Sequence, residues 1–300
     1  MTEPQRSIFI LGPARSGTSL LYRLLALHPD VAYISNWNAR YPKATAVAAL
    51  QRATRSSRSL RRRWFQVDGN AYVYGRRRPL SERLIPAPVE GEPVFTAAGI
   101  LVDGSITNPN AADALRESIE SITRFSGGTH FVNKRVANNQ RIDLIHQALP
   151  EARFISIVRD GRAVALSLSG VNWWKDTEVP WAGVTPTEWE EQGNDPWELC
   201  ARNWLNDIEA VETGLSDVPD RLQTTVTYEG FIATPTAQLK RLAEAVDLPI
   251  SESWIREVES IPFPDHNQQW KKILPADAIR TITEIQEPAL HRLGYLGTDS

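Results

Sequence analysis

The segment Gly12-Pro13-Ala14-Arg15-Ser16-Gly17-Thr18-Ser19 separates a short apolar run, residues 7–11, from a helix-like segment at 18–27. An apolar run, a tight glycine-containing loop and a helix, in that order, are typical of the opening of a parallel α/β sheet. Glycines let the backbone turn so that successive N–H groups point into one concavity, and the start of a helix adds partial positive charge. The segment therefore predicts a phosphate-binding loop, with a turn that binds no ligand as the alternative.

The rest of the chain continues the alternation. Further strands are predicted at residues 130–132, 153–158 and 222–227, and helices at 138–149, 161–169, 195–215 and 235–246. This pattern predicts an α/β fold of P-loop type, with three layers and a central parallel sheet. Two stretches, at about 40–95 and 171–195, do not fit it, and long irregular insertions are usually lids or binding loops. We predict a single domain over residues 1–300 with these two insertions.

The composition excludes several classes of protein. The chain has 300 residues, of which 42% are hydrophobic, and its 33 basic and 36 acidic side chains give a net charge of −3. A large core is possible, and nucleic acid is not expected as the main partner. No apolar run approaches the roughly 20 residues that span a bilayer, and no signal peptide is expected. With Cys200 as the single cysteine, a disulfide framework is excluded and a cytoplasmic location is expected.

The loop nearly fits the P-loop pattern G-x-x-x-x-G-K-[ST], but Thr18 occupies the position of the lysine. Nucleoside triphosphatases use that lysine on the β- and γ-phosphates, so its absence counts against ATP or GTP as the ligand. The cation has instead moved to Arg15. A P-loop kinase or nucleotide hydrolase, which would need Mg²⁺, stays as the alternative enzyme.

A second group of candidate ligands follows a predicted strand, as Arg159-Asp160-Gly161-Arg162 and then Ser167. An arginine at the carboxyl end of a parallel strand points into the crevice where open α/β sheets bind ligands, and its planar fork suits a phosphate. Ser167 lies about two helical turns further on and can donate from the same rim. Taken alone, this pattern would indicate only a common turn with a salt bridge at the end of a strand. Together with Arg15, it predicts a ligand with two separated anionic groups.

These motifs resemble those of the sulfotransferases that use 3′-phosphoadenosine 5′-phosphosulfate (PAPS), in particular a bacterial branch related to tyrosylprotein and carbohydrate sulfotransferases. Residues 15–21 and His28-Pro29-Asp30-Val31 match the family's 5′-phosphosulfate loop, and residues 154–167 match its 3′-phosphate motif. Supporting matches are at 134–141, 228–229 and 266–274, so the resemblance extends from about residue 7 to residue 295.

The resemblance implies how the cofactor is held. The 5′-phosphosulfate would be surrounded by Arg15, Ser16, Gly17, Thr18 and Ser19, and the 3′-phosphate would be held by Arg159, Ser167 and either Lys271 or Lys272. For the two lysines a solvated surface pair is the alternative, and for Lys134 a salt bridge is the alternative to a phosphate contact. Arg15 is expected to stabilise the charge that grows on the leaving phosphate. This scheme requires no metal.

The general base is not assigned by the motifs. Tyrosylprotein-type enzymes carry acidic residues soon after the His-Pro-x-Val element, whereas this chain continues Ala32-Tyr33-Ile34-Ser35-Asn36-Trp37-Asn38. Glu90 and Glu92, in a Pro-bounded loop, are the candidate replacements, with Glu92 preferred and a solvated carboxylate as the alternative for each. His28 and His130 are further candidates, although an isolated histidine at the end of a strand or helix is more often structural.

The acceptor is predicted only by class. Of ten tryptophans, six lie between Trp173 and Trp204. The tryptophans on the loop are expected either to bind a sugar ring, a phenol or an apolar tail of the acceptor, or to pack in the core. Trp197 and Trp204, which share a helix face, are expected in the core. An arginine-rich stretch at 52–63 predicts a solvated face, an acidic acceptor or an anionic membrane surface.

We therefore predict transfer of a sulfuryl group from PAPS to a hydroxyl or amine of a small-molecule, glycan or lipid acceptor. Besides the kinase or hydrolase, the alternative is a protein that binds the nucleotide without catalysis, for which the missing acidic residue near Asn36 is the best support. The oligomeric state is left open.

Overall fold

A parallel sheet forms the centre of the fold. The computed structural model describes residues 6–55, 57–65, 84–263 and 265–297. In this part of the chain the strands are β1 (Arg6–Leu11), β2 (Val31–Tyr33), β3 (His130–Lys134), β4 (Arg153–Val158) and β5 (Gln223–Thr227). They lie in the order β2-β3-β1-β4-β5, and every neighbouring pair is parallel. The predicted parallel α/β sheet is confirmed. It also contains β2, which the sequence analysis did not predict, because a strand of three residues is too short to show a periodic pattern.

Helices cover both faces of this sheet. In the same residues they are α1 (Thr18–Ala26), α2 (Asn36–Arg40), α3 (Gln51–Arg55), α4 (Arg58–Arg62), α5 (Glu92–Ala98), α6 (Ala111–Ser126), α7 (Ile142–Ala148), α8 (Gly161–Ser169), α9 (Pro186–Glu191), α10 (Pro196–Leu215), α11 (Tyr228–Ala233), α12 (Pro235–Ala245), α13 (Glu252–Glu259), α14 (Trp270–Ile273) and α15 (Ala276–Arg292). Short 3₁₀ helices lie at Thr45–Leu50, Arg63–Phe65, Val136–Gln140 and Asp220–Leu222.

Each face of the sheet has its own apolar core, because successive side chains of a strand point to opposite faces. On one face Ile8 and Ile10 pack against α1, α12 and α13. On the other face Phe9 and Leu11 pack against α6, α7 and the end of α10. Helices thus cover β1 on both sides, which explains its continuous apolar sequence and gives the three layers predicted.

Some helix boundaries differ from the prediction. The helix expected to start at Asn138 or Asn139 begins only at Ile142, because residues 136–140 form a 3₁₀ turn and both asparagine side chains bond inside the protein instead of capping a helix. The insertion at 171–195 contains α9, whose start is stabilised by a capping box between Thr185 and Glu188.

The first insertion, at 40–95, forms short helical segments where it is described, and the arginine-rich stretch at 52–63 is divided between α3, α4 and the start of a 3₁₀ helix. Residues 66–83 lie outside the described residues. The prediction of a single domain stays a prediction.

The carboxyl ends of the parallel strands meet at one edge of the sheet. Residues 12–19 follow β1, Lys134 ends β3, Arg159 follows β4 and Tyr228 follows β5. Since β1 lies between β3 and β4, the predicted phosphate loop has Lys134 on one side and Arg159 on the other. This edge is where open α/β sheets bind their ligands.

The variant Gly12→Ala is expected to lose about 3 kcal/mol of unfolding free energy, since both steric overlap and an unfavourable backbone angle contribute. Gly12 has φ of 131°, and an added Cβ would lie 2.3 Å from the carbonyl oxygen of Ile157 on β4. Gly193→Ala is the matched control: φ is 84° but nothing lies within 4 Å, so about 1 kcal/mol is expected. Urea unfolding measures both, and equal losses would contradict the steric explanation.

Candidate active site

The loop of residues 12–19 turns tightly between β1 and α1. Arg15 and Gly17 both take left-handed backbone angles, with φ of 68° and 89°. Gly17 precedes α1 and no side chain caps that end of the helix, so the partial positive charge of the helix start lies at the loop. A Cβ on Gly17 would lie 2.6 Å from the ring of Tyr228, which shows that this ring packs directly against the loop.

Two arginines from separate motifs meet at this loop. Arg15 Nε donates to Ser167 Oγ at 3.0 Å, and Arg159 Nη1 donates to the backbone oxygen of Arg15 at 2.9 Å. The guanidinium of Arg159 also lies over the ring of Tyr228, 4.3 Å from its centroid. The structure thus brings together Arg15, Arg159 and Ser167 in one group, although Ser167 contacts Arg15 and not the arginine of its own motif.

The electrostatics of this group favour an anion. In the described part of the chain, Arg15 and Arg159 make their hydrogen bonds and ring contact with neutral groups. Burial lowers the pKa of both guanidinium groups, and the charge of Arg159 lowers the pKa of Arg15 further. Two like charges held close together without a contacting carboxylate are stabilised by an anion that binds between them.

The C-terminal segment adds a residue that sequence reasoning missed. The buried side chain of Asn267 accepts a hydrogen bond from Arg159 Nε at 2.9 Å and so fastens residues 265–274 to the site. Lys271 and Lys272 are exposed, and Lys271 lies over the ring of Trp270, 5.6 Å from its centroid. Their contact with a phosphate stays a prediction. The resemblance indicated this segment, but nothing in the sequence distinguished Asn267 within it.

A second charged group lies at the end of β3. Lys134 Nζ is 2.6 Å from Glu90 Oε1, and Arg135 also pairs with Glu90. Burial opposes ionisation, yet the charges of Lys134 and Arg135 hold the pKa of Glu90 below its ordinary value. Lys134 therefore forms the salt bridge that the sequence left open for it.

Glu92 belongs to the same group. Its Oε2 accepts from Arg135 Nε at 2.6 Å and from Arg141 Nη2 at 2.7 Å. It also begins α5, after Gly91 in a left-handed conformation, so the acidic segment is a helix start and not a free loop. The role of Glu92 as a catalytic base stays a prediction.

Glu90 reaches this position through pairing between distant segments. Val89 N–H donates to the Ile34 carbonyl at 2.9 Å, and the Asn36 side chain bonds both the Ile85 oxygen and the Ala87 N–H, at 3.2 and 2.9 Å. Asn133 then donates to the backbone oxygen of Glu90 at 3.1 Å. The segment that carries Glu90 is thereby held against the ends of β2 and β3.

The two histidines considered as bases lie elsewhere. His130 begins β3 and His28 precedes β2, so both are at the amino edge of the sheet, opposite the loop of residues 12–19. His28 Nε2 lies 2.7 Å from the Pro249 oxygen, and His130 Nε2 lies 3.0 Å from the Asp247 oxygen. These contacts make both histidines structural.

The tryptophans of the second insertion are buried to different degrees. Trp174 is buried with Trp270 in a cluster that α8, α10 and α15 complete, and Trp173, Trp189 and Trp197 pack against it. Trp204 is fully buried, as predicted, and its Nε1 donates to the Arg159 backbone oxygen at 3.2 Å. Of the six tryptophans at 173–204, Trp181 is the most exposed, at 37%.

A buried polar pair lies beneath the loop. Asn139 Oδ1 accepts from Gly12 N–H at 3.0 Å, and its Nδ2 donates to the Gly12 oxygen and to Asp207 Oδ1, both at 3.2 Å. Burial raises the pKa of Asp207 to about 7. Sequence reasoning missed this pair, because Asp207 lies within the apolar face of α10 and gives no motif.

The variant Asp207→Asn is expected to change how stability depends on pH. A carboxyl whose pKa is about 7 when folded, against an ordinary value of 3.8, binds more protons folded than unfolded between those values. Its contribution to the unfolding free energy therefore falls as pH rises, by on the order of 4 kcal/mol. Urea unfolding at about pH 5 and about pH 8 covers part of this range and should show about 2.5 kcal/mol of the loss in the wild type and not in the variant. Parallel pH profiles would contradict it.

Two further features bear on the class of protein. Within residues 6–297, apart from the segments left undescribed, no helix is long and apolar enough to cross a membrane. The same residues contain no group of three or more His, Cys, Asp or Glu side chains placed to hold a metal ion.

Comparisons with known proteins show the family of this chain. A family model for the sulfotransferase family matches residues 7–252. Protein-tyrosine sulfotransferase A of Caenorhabditis elegans is 22% identical over 308 residues, which cover 96% of this chain and 67% of the relative.

Solved structures show the same fold. The sulfotransferase STF9 from Mycobacterium avium has a TM-score of 0.54 at 17% identity, covering 96% of this chain and 76% of that one. The sulfotransferase STF1 from Mycobacterium tuberculosis H37Rv has a TM-score of 0.55 at 15% identity, covering 95% and 77%. Because the family match takes in most of the chain and both phosphate motifs, the chain belongs to the sulfotransferase family and is a sulfotransferase enzyme.

Proposed function

We propose that the protein transfers a sulfuryl group from PAPS to a hydroxyl or amine of an acceptor. The observation that carries this proposal is the contact between the two phosphate motifs, in which Arg159 donates to the Arg15 backbone and Arg15 donates to Ser167. A ligand with anionic groups at both ends would be held by both motifs at once. PAPS is such a ligand: it supplies the sulfuryl group, and adenosine 3′,5′-bisphosphate is the product that remains.

The donors at this edge fit the two ends of that nucleotide. We assign the 5′-phosphosulfate to Arg15, Ser16, Gly17, Thr18 and Ser19, and the 3′-phosphate to Arg159 and Ser167, with Lys271 or Lys272 over it. The uncapped start of α1 supports the first assignment. The second is supported by the burial of Arg159, which is 6% exposed and whose planar guanidinium suits a phosphate.

Sulfuryl transfer, like phosphoryl transfer, is an in-line displacement in which positioning and charge stabilisation supply most of the catalysis. Arg15 would stabilise the negative charge that develops on the leaving 5′-phosphate. Arginine stays charged, so it acts by electrostatics and not by giving up a proton. Its partial burial strengthens this interaction, since fewer water molecules screen it.

The contacts favour Glu90 over Glu92 as the base. Glu92 Oε2 is shared by two guanidinium groups, one of them the fully buried Arg141, and Glu92 Oε1 is itself buried, with no hydrogen-bond partner among the described residues, so an acceptor cannot reach it without rearrangement. Glu90 pairs with Arg135 through Oε2 and with the ammonium of Lys134 through Oε1. That ammonium can turn from Glu90 towards an anion at the neighbouring loop, which would free Oε1 to accept the proton of the acceptor. Asn36 lies in the segment where tyrosylprotein-type enzymes carry acidic residues, and its side chain holds the segment that precedes Glu90.

The acceptor is proposed by class only, as a small molecule, a glycan or a lipid. The name of the Caenorhabditis elegans relative adds a protein tyrosine to these classes. We expect the reaction to take place in the cytoplasm and without a metal.

Calorimetric titration with adenosine 3′,5′-bisphosphate, beside ATP with Mg²⁺, tests the cofactor. The proposal requires tight binding of the bisphosphate and no binding of ATP. Binding of ATP with Mg²⁺, without binding of the bisphosphate, would contradict the proposal and favour a P-loop kinase or nucleotide hydrolase. Tight bisphosphate binding without transfer of labelled sulfate to any phenol, sugar, lipid alcohol or tyrosine peptide would favour the non-catalytic alternative.

A further inference from the structure

Asp207 lies under the phosphate loop, on the inner face of α10, and is 6% exposed. Its Oδ1 accepts from Asn139 Nδ2, which requires the Asn139 Oδ1 to face the other way, towards the N–H of Gly12. Asn139 therefore satisfies both backbone groups of Gly12 at once. The first peptide group of the loop is held by Asn139, and the orientation of Asn139 is held by Asp207.

The surroundings of Asp207 leave its charge weakly compensated. From the loop, the backbone N–H of Ala14 favours the charged form, and from β3 the more distant charge of Lys134 does the same. Lys134 is itself paired with Glu90. Asp207 Oδ2 has no hydrogen-bond partner among the described residues. A buried carboxylate without a cation in contact is close to the balance between its charged and neutral forms.

We propose that Asp207 is a positioning residue of the phosphate loop and takes up a proton when the loop binds an anion. The inference rests on the proposed function, because the anion is the phosphate end of the nucleotide. A negative charge above the loop repels the carboxylate below it and favours the neutral acid. The proton comes from the solvent and adds to Oδ2, while Oδ1 continues to accept from Asn139, so the loop keeps its shape.

The shifted pKa of Asp207, about 7, supports this coupling, since a small further repulsion then changes its protonation near neutral pH. At about pH 7.5, a rise of about one pKa unit on binding corresponds to uptake of on the order of half a proton.

Calorimetric titration with adenosine 3′,5′-bisphosphate, repeated in buffers of different ionisation enthalpy, measures this uptake. The wild type is expected to take up on the order of half a proton more than Asp207→Asn at about pH 7.5. Ionisation of the bisphosphate contributes equally to both and cancels in the difference. Glu209→Gln is the matched control, because Glu209 is exposed on the same helix and its loss should leave the uptake at the wild-type value.

Equal uptake in the wild type and in Asp207→Asn, with or without a loss of affinity, would overturn the proposal and leave Asp207 a structural residue. If this variant does not fold, infrared difference spectra of the wild type decide the question. Addition of bisphosphate must then increase the carbonyl band of a protonated buried carboxyl, and an unchanged band would overturn the proposal. Failure of the proposed function looks different, since the wild type would show no bisphosphate binding in any buffer and the inference would fall with it.

Discussion

The variant Arg159→Ala is expected to bind adenosine 3′,5′-bisphosphate about 100–1,000-fold more weakly than the wild type, because it loses charge-assisted hydrogen bonds in a buried position. Arg159 is 6% exposed and its contacts are with Asn267, the Arg15 backbone and the Tyr228 ring. The substitution would therefore remove both the proposed partner of the 3′-phosphate and the group that joins the two motifs. Calorimetric titration at constant salt measures it.

Two further variants separate this role from a general effect of removing an arginine. Arg153 lies at the other end of the same strand, where it pairs with Asp247 at 2.5 Å, and Arg153→Ala should bind the bisphosphate as the wild type does. Arg159→Lys should fall between the extremes, since it keeps the charge but loses the planar fork. Affinity of Arg159→Ala within about threefold of the wild type would show that the 3′-phosphate is held elsewhere.

The parts of the site that could be predicted from the sequence are those whose position follows from the order of strands, loops and helices along the chain. A strand, a glycine loop and a helix fix where residues 12–19 lie, and an arginine after β4 has to reach the same edge of a parallel sheet. The meeting of Arg15 and Arg159 follows from these two facts. It needed no knowledge of how the intervening residues fold.

The parts that could not be predicted depend on pairing between distant segments. Glu90 reaches Lys134 only because residues 85–89 run along the end of β2, and β2 itself is too short to be recognised. Asp207 and Asn139 are 68 positions apart, and each taken alone reads as an ordinary residue of a helix or turn. The loop tryptophans gave a signal for binding, but large aromatic side chains pack equally well against a core, as buried Trp174 and half-buried Trp173 and Trp189 do.

The variant Glu90→Gln is expected to lower kcat by about 10²–10⁴-fold, the usual contribution of a general base, while the affinity for the bisphosphate changes little. Glu92→Gln is the matched variant, and its kcat should stay within about tenfold of the wild type. Both substitutions break buried ion pairs and lower the stability of the protein, so the folding of each variant must be checked. Only the difference in kcat between the two variants identifies the base. Transfer of labelled sulfate from PAPS, to the acceptor that a screen returns, measures it.

The pH dependence adds an independent test of this base. Lys134 and Arg135 hold the pKa of Glu90 below its ordinary value of 4.5, so the carboxylate stays ionised as pH falls and loses its charge only below the usual range for glutamate. The kcat/KM of the wild type, which reports groups of the free enzyme, should accordingly fall on this acidic side, and the residual kcat/KM of Glu90→Gln should lack that fall. If Glu92→Gln instead loses the larger part of kcat, the base is Glu92, and the contact between Lys134 and Glu90 serves to position the loop beside it.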